Sequence, residues 1–536
     1  MHDLIIRGGR LIDGTGAPWR RADVAVRDGR IARVGRLRAA DAALVVEADG
    51  RFVAPGFVDI HTHSDFTLPL DGRASSALAQ GITTQIMGNC GVSAAPVRGG
   101  EPYFGPLDPA MTRGLVCDWA DFAGYFERLT RQGIGTNVAA LVGHGSLRAA
   151  AVGPDDRPAT ASELDHMRRL LTTALEQGAV GLSSGLAYAP GPFAAPEEFV
   201  ELARVVGEYG GIYTSHIRNQ TQGIAAAVDE VIAVGEAAGV AVHVSHMQPG
   251  SPMIGATTDL LATLDRARAR GVDVSCDGIP YTIGSTTLKS LLPPWALDGG
   301  DGELLRRLRD PEQRDRIVAD TLTHGAESGG SRKRNLVKDG SWDRIWLGAV
   351  EANAALAGKS FDEIGRLRGQ DPHEAVLDIL IEEEARPWML AEDVSEEDFA
   401  NIARHPAGGV ISDGFSLCPE GALGEGKHHP RSYGAVPYFL RRFVREQGLL
   451  TWEAAVHKLT GYGAARFGLA GRGLAREGAA ADLVVFDPDT VGEAASFDEP
   501  DLYPRGIEWV FVNGRAAVAE GQLQDTLSGH VLRRAR

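Results

Sequence analysis

The sequence predicts an α/β fold: a (β/α)8 barrel of the TIM type with a small β-sandwich formed by both ends of the chain. Apolar segments of strand length alternate with amphipathic helical stretches through the middle of the chain, which is typical of parallel βα units. The two ends instead alternate apolar and polar residues between glycines, which predicts antiparallel strands. With 536 residues, the chain is long enough for one large barrel and an accessory domain.

The two ends of the chain share this strand-like pattern. The first contains DLIIRGGRLIDG, ADVAVRDGRIARVG and LVVEADGRFVAPG, and the last contains ADLVVFDP and IEWVFVNGRAAVAEGQ. We therefore expect residues 1–54 and 480–536 to form one small β-sandwich domain, and residues 55–479 to form the barrel.

Eight segments of the middle region are candidate barrel strands. They are residues 57–63, 83–89, 136–145, 179–186, 211–217, 241–246, 272–278 and 408–414. Helical stretches such as SELDHMRRLLTTALEQG lie between most of them. A charged, loop-rich segment at about 287–350 falls between the seventh and eighth strands. We predict that it is an insertion covering the active site, which in such barrels lies at the carboxyl ends of the strands.

The charge of the chain excludes some classes of partner. There are 54 Lys and Arg residues against 71 Asp and Glu residues, a net charge of −17. Nucleic acids and anionic membranes need a basic surface, so we expect neither as a partner. No run of about 18 apolar residues predicts a membrane span. A small-molecule substrate is the expected partner. Association of the chain into a homo-oligomer is a further alternative.

The four cysteines indicate the compartment. Cys90, Cys117, Cys276 and Cys418 are far apart and form no CxxC pair. Such spacing gives no disulfide framework, and the first residues lack the apolar core of a signal peptide. A reducing cytoplasm is therefore the expected location.

The sharpest chemical signal is PGFVDIHTHSD, which places His61 and His63 two residues apart at the end of the first barrel strand. Alternate residues of a strand point to the same side, so both imidazoles can reach one metal ion. A histidine pair of this kind can also be packed or exposed without any metal. Potential ligands also follow other predicted strands: Cys90, His216, His246 and Asp413.

Strand ends converge at the mouth of a barrel, so these dispersed residues become neighbours. A structural zinc site usually has closely paired ligands, whereas a scattered set is typical of a catalytic metal. The alternative is a chance set of buried polar residues.

A bridging ligand for two metals is a further requirement if the site is binuclear. In many barrel hydrolases a carbamylated lysine bridges the ions, but the first lysine here is Lys289, after seven of the eight strands. Cys90 is then the natural candidate, because a metal-bound thiol is deprotonated. A role as a small buried apolar residue is equally open for it.

Several motifs carry a family resemblance over roughly residues 1–520. PGFVDIHTHSD, GNCG, GLSSGLAYAPG, YTSHIRN, IPYTIGST, ISDG and HPRSYG occur in that order. In these motifs the chain resembles the N-acyl-D-amino-acid deacylases, or D-aminoacylases, of the amidohydrolase superfamily. GNCG and GLSSGLAYAPG are restricted to that family, whereas the HxH element is shared across the superfamily.

The resemblance implies a zinc-dependent hydrolysis of a linear amide, from an N-acyl-D-amino acid to a carboxylate and a D-amino acid. It implies that Cys90, His216 and His246 hold a tightly bound zinc ion. A second, weaker position would use His61, His63 and Asp413 and share Cys90, and Asp413 would also carry the proton as general base and acid. The implied metal ligands are therefore His61, His63, Cys90, His216, His246 and Asp413.

The resemblance also implies substrate-binding residues. Tyr281, Ser285 and Arg431 match positions that hold the substrate carboxylate. Two residues after the sixth-strand histidine the family often has a lysine, but this chain has Gln248. The chain lacks that cation at this position, but Arg431 can bind a carboxylate with two hydrogen bonds. An ordinary surface ion pair is the alternative for Arg431.

Four other histidines have weaker claims. His144, at the end of the third strand, either lines the pocket or is a hydrogen-bonded core residue. His243 is three residues from His246, so we expect it on the opposite strand face, packed against a helix. His428 and His429 precede Pro430 in a glycine-rich segment and are expected to be exposed.

Two other functions stay open at this point. One is a cyclic amidase that resembles hydantoinase or dihydropyrimidinase, because only the carboxylate-binding residues favour a linear substrate. The other is a non-catalytic metal-binding barrel that acts in assembly or sensing, which the presence of Asp413 at the proton-carrier position disfavours.

Overall fold

The amino-terminal segment forms seven short strands. The computed structural model describes residues 1–38, 41–99, 102–105, 111–348, 350–425 and 427–534. The strands are β1 (His2–Arg7), β2 (Arg10–Leu11), β3 (Arg20–Arg21), β4 (Asp23–Arg27), β5 (Arg30–Gly35), β6 (Ala42–Glu47) and β7 (Phe52–Pro55). β1 pairs antiparallel with β4 but parallel with β6, so this first sheet is mixed rather than purely antiparallel as the alternation had predicted.

Seven parallel barrel strands follow. They are β8 (Phe57–Asp59), β9 (Ile82–Met87), β10 (Asn137–Gly143), β11 (Gly181–Gly185), β12 (Ile212–His216), β13 (Ala241–Val244) and β14 (Val274–Gly278). The helices between them are α1 (Thr67–Leu70), α2 (Ser75–Ala79), α3 (Phe122–Gln132), α4 (His144–Ala151), α5 (Ala161–Glu176), α6 (Pro196–Glu208), α7 (Ile224–Ala238) and α8 (Thr257–Ala269). Local sequence sets some of their ends: α5 begins with a capping box in which Thr160 and Glu163 each accept the other's backbone N–H.

The segment between the seventh and eighth barrel strands is a folded unit. It contains the antiparallel strands β15 (Ile283–Thr287), β16 (Ile345–Leu347) and β17 (Trp388–Glu392) and the helices α9 (Gly300–Arg309), α10 (Pro311–His324), α11 (Arg334–Lys338), α12 (Phe361–Arg368) and α13 (Pro372–Glu382). Residues such as Leu304, Phe361 and Leu380 give it an apolar core of its own. The predicted insertion between the seventh and eighth strands is confirmed, but it is folded rather than loop-rich, because many of its charged residues lie on amphipathic helices.

The eighth strand closes the barrel. After α14 (Glu396–Arg404), β18 (Gly408–Val410) pairs parallel with β14. A bridge between Thr62 and Gly414 joins the last strand segment to the first. Around it, the Asp413 N–H donates to the His61 carbonyl over 3.0 Å and the His63 N–H donates to the Gly414 carbonyl over 2.9 Å. The chain continues in α15 (Arg431–Phe439), α16 (Trp452–Leu459) and α17 (Gly461–Arg466). The predicted (β/α)8 barrel is confirmed.

The carboxyl-terminal segment returns to the first domain. It adds β19 (Leu483–Phe486), β20 (Ile507–Val512), β21 (Arg515–Ala519) and β22 (Gln522–Leu523) to a seven-stranded sheet with β2, β3 and β7. This sheet packs on the four-stranded sheet through residues such as Val24, Val53 and Val485, as expected of a sandwich. Beyond β22, the Leu532 N–H donates to the carbonyl of Val138, so the end of the chain lies against the barrel.

The barrel contains a buried apolar cluster. Ile60, Ile86, Leu141, Val180 and Ile212 belong to it. The candidate ligands lie at the carboxyl ends of the strands, where function is expected. Among the described helices, none is long and apolar enough to cross a membrane.

Candidate metal centre

Five strand ends carry the predicted ligands into one site. His61 and His63 follow β8, Cys90 follows β9, His216 ends β12, His246 follows β13 and Asp413 follows β18. All six side chains are buried. One ligand atom each from His61, Cys90, His246 and Asp413 lies within 4.8 Å of the others. The topology thus brings together residues that are up to 352 positions apart in sequence (61 to 413).

Cys90 is at the centre of three imidazoles. Its Sγ lies 3.3 Å from His61 Nε2, 3.4 Å from His246 Nε2 and 3.7 Å from His216 Nδ1. Ligand bonds of about 2.3 Å to sulfur and about 2.0 Å to nitrogen at a tetrahedral angle put the two ligand atoms about 3.5 Å apart. The spacing of Cys90 from His216 and His246 therefore fits a tetrahedral zinc ion.

Asp413 lies between two histidines and an arginine. Its Oδ1 is 3.0 Å from His63 Nε2 and 3.3 Å from His61 Nε2, and its Oδ2 is 2.8 Å from Arg431 Nη1. One carboxylate thus faces the imidazoles with one oxygen and the guanidinium with the other. This arrangement suits a residue that contacts a metal ion and stays close to a substrate.

The electrostatics of the cluster fit a cation. Burial would raise the pKa of the Cys90 thiol, but His61 and His246 hold this pKa well below its usual value. Burial opposes protonation of His63, yet hydrogen bonding to Asp413 and Cys90 raises its pKa to about 9. The pKa of His61 is raised as well, so without a metal ion protons on His61 and His63 balance the buried thiolate and carboxylate. A divalent cation can replace those protons, as is usual for sites of thiolate and imidazole ligands.

The backbone at three of the ligands is unusual. Cys90, His246 and Asp413 have φ angles of +52°, +32° and +53°, which few residues other than glycine adopt. Strained backbone of this kind collects at functional sites, where the surrounding structure enforces it. The glycines of the GNCG motif serve the same turn: Gly88 has φ +78°, and a Cβ atom on it would lie 2.1 Å from the carbonyl oxygen of Leu141.

Asp277 is a positioning residue that the sequence analysis missed. It ends β14 next to Gly278, accepts the backbone N–H of His246, and has Oδ2 2.8 Å from His243 Nε2 and 3.6 Å from His61 Nδ1. Carboxylates that hold metal-binding histidines in this way are common. An aspartate at the carboxyl end of a predicted barrel strand was a signal that could have found it.

The expectation for His243 was wrong. The residue faces the barrel interior, with Nδ1 2.7 Å from Ser275 Oγ, rather than a helix outside the strands. Its direction differs because the strand ends at Val244 and the positive φ of His246 breaks the alternation on which the expectation depended.

The predicted substrate-binding residues do not all lie in the pocket. Ser285 and Arg431 line it beside the candidate ligands. Tyr281 lies behind the wall, where its ring stacks on Tyr438 with centroids 4.6 Å apart. Of the two roles left open for His144, the contacts fit the core residue: it is fully buried, and its Nε2 lies 2.7 Å from Glu198 Oε1.

The side-chain amide of Gln248 is hydrogen-bonded to the backbone of Ile279. Its amide oxygen accepts the Ile279 N–H over 2.8 Å, and its amide nitrogen donates to the Ile279 carbonyl over 3.1 Å. The side chain therefore ties the end of the sixth barrel strand to the end of the seventh.

His428 and His429 are buried, contrary to the expectation of exposure. His429 Nε2 donates to the Ile283 carbonyl over 2.8 Å, and its Nδ1 accepts the Arg431 N–H over 3.0 Å. Burial, reinforced by Arg431, holds the pKa of His429 well below its usual value, so the ring is neutral. His429 thereby fixes the start of the helix that carries Arg431.

The folded insertion supplies the remaining wall of the pocket. The lining residues are His63, Cys90, Tyr188, His216, Gln220, His246, Ile279, Gly284, Ser285, Thr286, Ser331, Arg332, Lys333, Trp388, Asp413 and Arg431. Arg332 and Lys333 come from SGGSRKRN, which the sequence analysis treated as part of a charged loop. The two side chains are buried together with residues 331 and 334–337, and no local pattern in the sequence indicates this burial.

Comparisons with known proteins agree with this geometry. The amidohydrolase family profile matches residues 44–518. An N-acyl-D-glutamate deacylase of Alcaligenes xylosoxydans xylosoxydans is 40% identical over 99% of this chain and 96% of its own length.

Two solved structures are similar over the whole chain. One is an N-acyl-D-glutamate deacylase from Bordetella bronchiseptica in complex with zinc and a phosphonate inhibitor that mimics the tetrahedral intermediate. Its TM-score is 0.82 and its sequence identity is 38%, and the match covers 99% of this chain and 100% of that chain. The other is a D-aminoacylase with a binuclear metal centre, at a TM-score of 0.84, 33% identity and full coverage of both chains. The protein therefore belongs to the amidohydrolase family, in the group of the N-acyl-D-amino-acid deacylases.

Proposed function

We propose that this protein is a zinc-dependent deacylase that hydrolyses the linear amide bond of an N-acyl-D-amino acid to a carboxylate and a D-amino acid. The observation that carries the proposal is the placement of Cys90 within 3.7 Å of three histidines, with the carboxylate of Asp413 beside them. The relatives named above act on such substrates, and this chain has the same family motifs along its length.

The ligand set supports two metal positions. We assign a tight zinc position to Cys90, His216 and His246, and a weaker one to His61, His63 and Asp413, with Cys90 shared. Bound zinc lowers the pKa of a water molecule towards about 7 and polarises a carbonyl group. The structure of a D-aminoacylase with a binuclear centre supports the second position.

Asp413 has the proton-transfer role in this proposal. Burial alone would raise its pKa, but Arg431 and the two histidines keep the pKa well below its usual value. The side chain is therefore a carboxylate at neutral pH and can accept the proton of the attacking water. It then donates this proton to the amide nitrogen, which leaves poorly unless it is protonated.

Ser285 and Arg431 are assigned to the substrate's amino-acid portion. Both line the pocket, and Arg431 stays within 2.8 Å of Asp413, so a carboxylate held by the guanidinium lies close to the proton carrier. Tyr281 supports them from behind through its ring contact with His429.

All four cysteines are free, which supports the cytoplasm as the compartment.

A substrate panel tests the proposal. Zinc-loaded protein is assayed with N-acetyl-D-amino acids, their L enantiomers, hydantoin and dihydrouracil. We expect turnover of the D series well above the L series and the cyclic amides. Preferred turnover of hydantoin or dihydrouracil would establish the cyclic amidase instead, and full zinc content without hydrolysis of any amide would establish the non-catalytic barrel.

A further inference from the structure

We propose that Arg332 and Lys333, which the insertion carries, form a carboxylate-binding subsite that replaces the cation absent from position 248. The proposal rests on the proposed function for its substrate class. Binding of a carboxylate can nevertheless be measured without turnover, so the two proposals can fail separately.

Gln248 itself is not among the side chains that line the pocket. It is 1% exposed, and both ends of its amide are hydrogen-bonded to the backbone of Ile279. A group whose donor and acceptor are already satisfied gains little from a ligand. The cation must therefore come from another element.

Arg332 occupies the space beside Gln248. Its Nη1 lies 3.4 Å from the carbonyl oxygen of Gln248. The stem of Arg332 crosses Gly250 so closely that a Cβ atom there would be 2.9 Å from Arg332 Cδ. A guanidinium from the insertion thus reaches the segment after the sixth barrel strand.

The insertion gives its side of the pocket an excess of positive charge. Arg332 Nε is 2.6 Å and Lys333 Nζ is 3.2 Å from the same oxygen, Oδ2 of Asp393. Asp393 is 2% exposed and lies behind the two cations, which line the pocket. On the other side, Arg431 is paired with Asp413. Two cations that share one carboxylate have one uncompensated charge, and desolvated cations favour an incoming anion.

Both cationic groups converge next to Ser285. A Cβ atom on Gly284 would lie 3.2 Å from Lys333 Nζ and 3.7 Å from Arg332 Nη2, with Asp393 Oδ1 3.6 Å away. The absence of a side chain at Gly284 leaves room at this point. A guanidinium and an ammonium together suit a carboxylate, since arginine offers paired donors and lysine a point charge.

The bound carboxylate has two chemical sources, the α-carboxylate of the substrate or a carboxylate on its side chain. Three ligands separate them: N-acetyl-D-glutamate has both groups, N-acetyl-D-glutamine has only the first, and N-acetyl-D-leucinamide has neither. Binding is measured by calorimetry with zinc-loaded Asp413→Asn protein. This variant lacks the proton carrier, so the three N-acetyl compounds are not hydrolysed during the measurement.

Lys333→Met is the main variant. It keeps Arg332 as the partner of Asp393, so no buried charge is orphaned. We expect N-acetyl-D-glutamate to bind at least tenfold more weakly, with N-acetyl-D-leucinamide unchanged. Lys333→Arg should restore binding to within threefold of the parent. Lys338→Met is the matched control, because Lys338 lies at the other end of α11 and pairs with Glu327 at the surface, 3.6 Å away.

A second variant keeps every charge. Gly284→Ala places a methyl group where the carboxylate would lie, and we expect at least a tenfold loss for N-acetyl-D-glutamate even if Lys333→Met does not fold. An equal loss for N-acetyl-D-glutamine supports the α-carboxylate, and a loss confined to N-acetyl-D-glutamate supports the side chain.

Unchanged affinity in both variants, at full zinc content, would overturn the subsite, as would an equal loss for N-acetyl-D-leucinamide. If binding depends on Lys333 while the wild-type protein hydrolyses no N-acyl-D-amino acid, the subsite stands and the proposed function fails.

Discussion

At the residue scale, the site concentrates opposite charges where water is excluded. Cys90 and Asp413 supply negative charge, and the histidines, Arg431 and Lys333 surround them. In such a setting each charged group depends on its neighbours, so the removal of one should have a large and specific effect. A substitution of Asp413 and the pH dependence of Lys333 each test one of these groups.

Asp413→Asn tests the proton carrier. Asparagine keeps the size of the side chain but cannot accept the proton, so we expect activity to fall by about 10²–10⁴-fold. The tight zinc position does not include Asp413, so metal analysis should still find about one zinc ion per chain. Near-normal turnover would contradict the assignment.

The pH dependence of substrate binding tests Lys333. Burial lowers the pKa of Lys333 to about 8; Asp393 opposes this shift, while Arg332 and Arg431 add to it. Only the protonated amine attracts a carboxylate, so affinity is present below pH 8 and is lost as the pH rises through about 8. We expect KM for N-acetyl-D-glutamate to rise between pH 8 and 9 in the wild type but not in Lys333→Arg. A KM independent of pH in the wild type would exclude this role for Lys333.

At the element scale, the loops after the strands determine where the ligands lie. The GNCG turn after β9 carries Cys90 at a positive φ between two glycines that also have positive φ, Gly88 and Gly91. The strands themselves are standard buried parallel strands, whereas these turns are specific to the site.

Gly88→Ala tests the turn. The added Cβ would collide with the carbonyl of Leu141 and is unfavourable at φ +78°, so the turn and Cys90 must shift. We expect a loss of more than about 2 kcal/mol of stability together with reduced zinc content. In the control Gly239→Ala, φ is +64° but nothing lies within 4 Å, so only about 1 kcal/mol should be lost and zinc retained.

The sequence was most informative where one physical rule applied alone. Buried parallel strands appear as apolar runs, so all eight barrel strands were predicted close to their observed bounds. The helices of the insertion were missed because their charged faces resemble a loop. Residues such as Asp277 and Lys333 were missed because their role depends on contacts between distant segments, which no local pattern records.

At the scale of the whole molecule, the metal centre joins separate parts of the chain. The barrel supplies the candidate ligands, the insertion supplies two cations, and α15 supplies Arg431. A ligand that binds only the folded protein stabilises it by RT ln(1 + [L]/Kd), about 4 kcal/mol at a thousandfold excess over Kd.

Removal of the metal should therefore affect the whole fold. We expect protein stripped with a chelator to melt several degrees below the zinc-loaded protein, and zinc to restore the melting temperature. Mg²⁺, which prefers oxygen ligands, serves as the control and should not restore it. Identical melting curves with and without zinc would show that the ion is not bound to the folded protein.

The closure of the barrel has a mechanical consequence. In the described part of the chain, the first and last strand segments meet through the single bridge at Thr62 and Gly414, whose immediate neighbours are His61, His63 and Asp413. An ion held by these three side chains would therefore cross-link the first and last strands of the barrel. Amide hydrogen exchange at residues 61–63 and 413–414 should then slow when zinc binds, while exchange in β10, which carries no candidate ligand, stays the same.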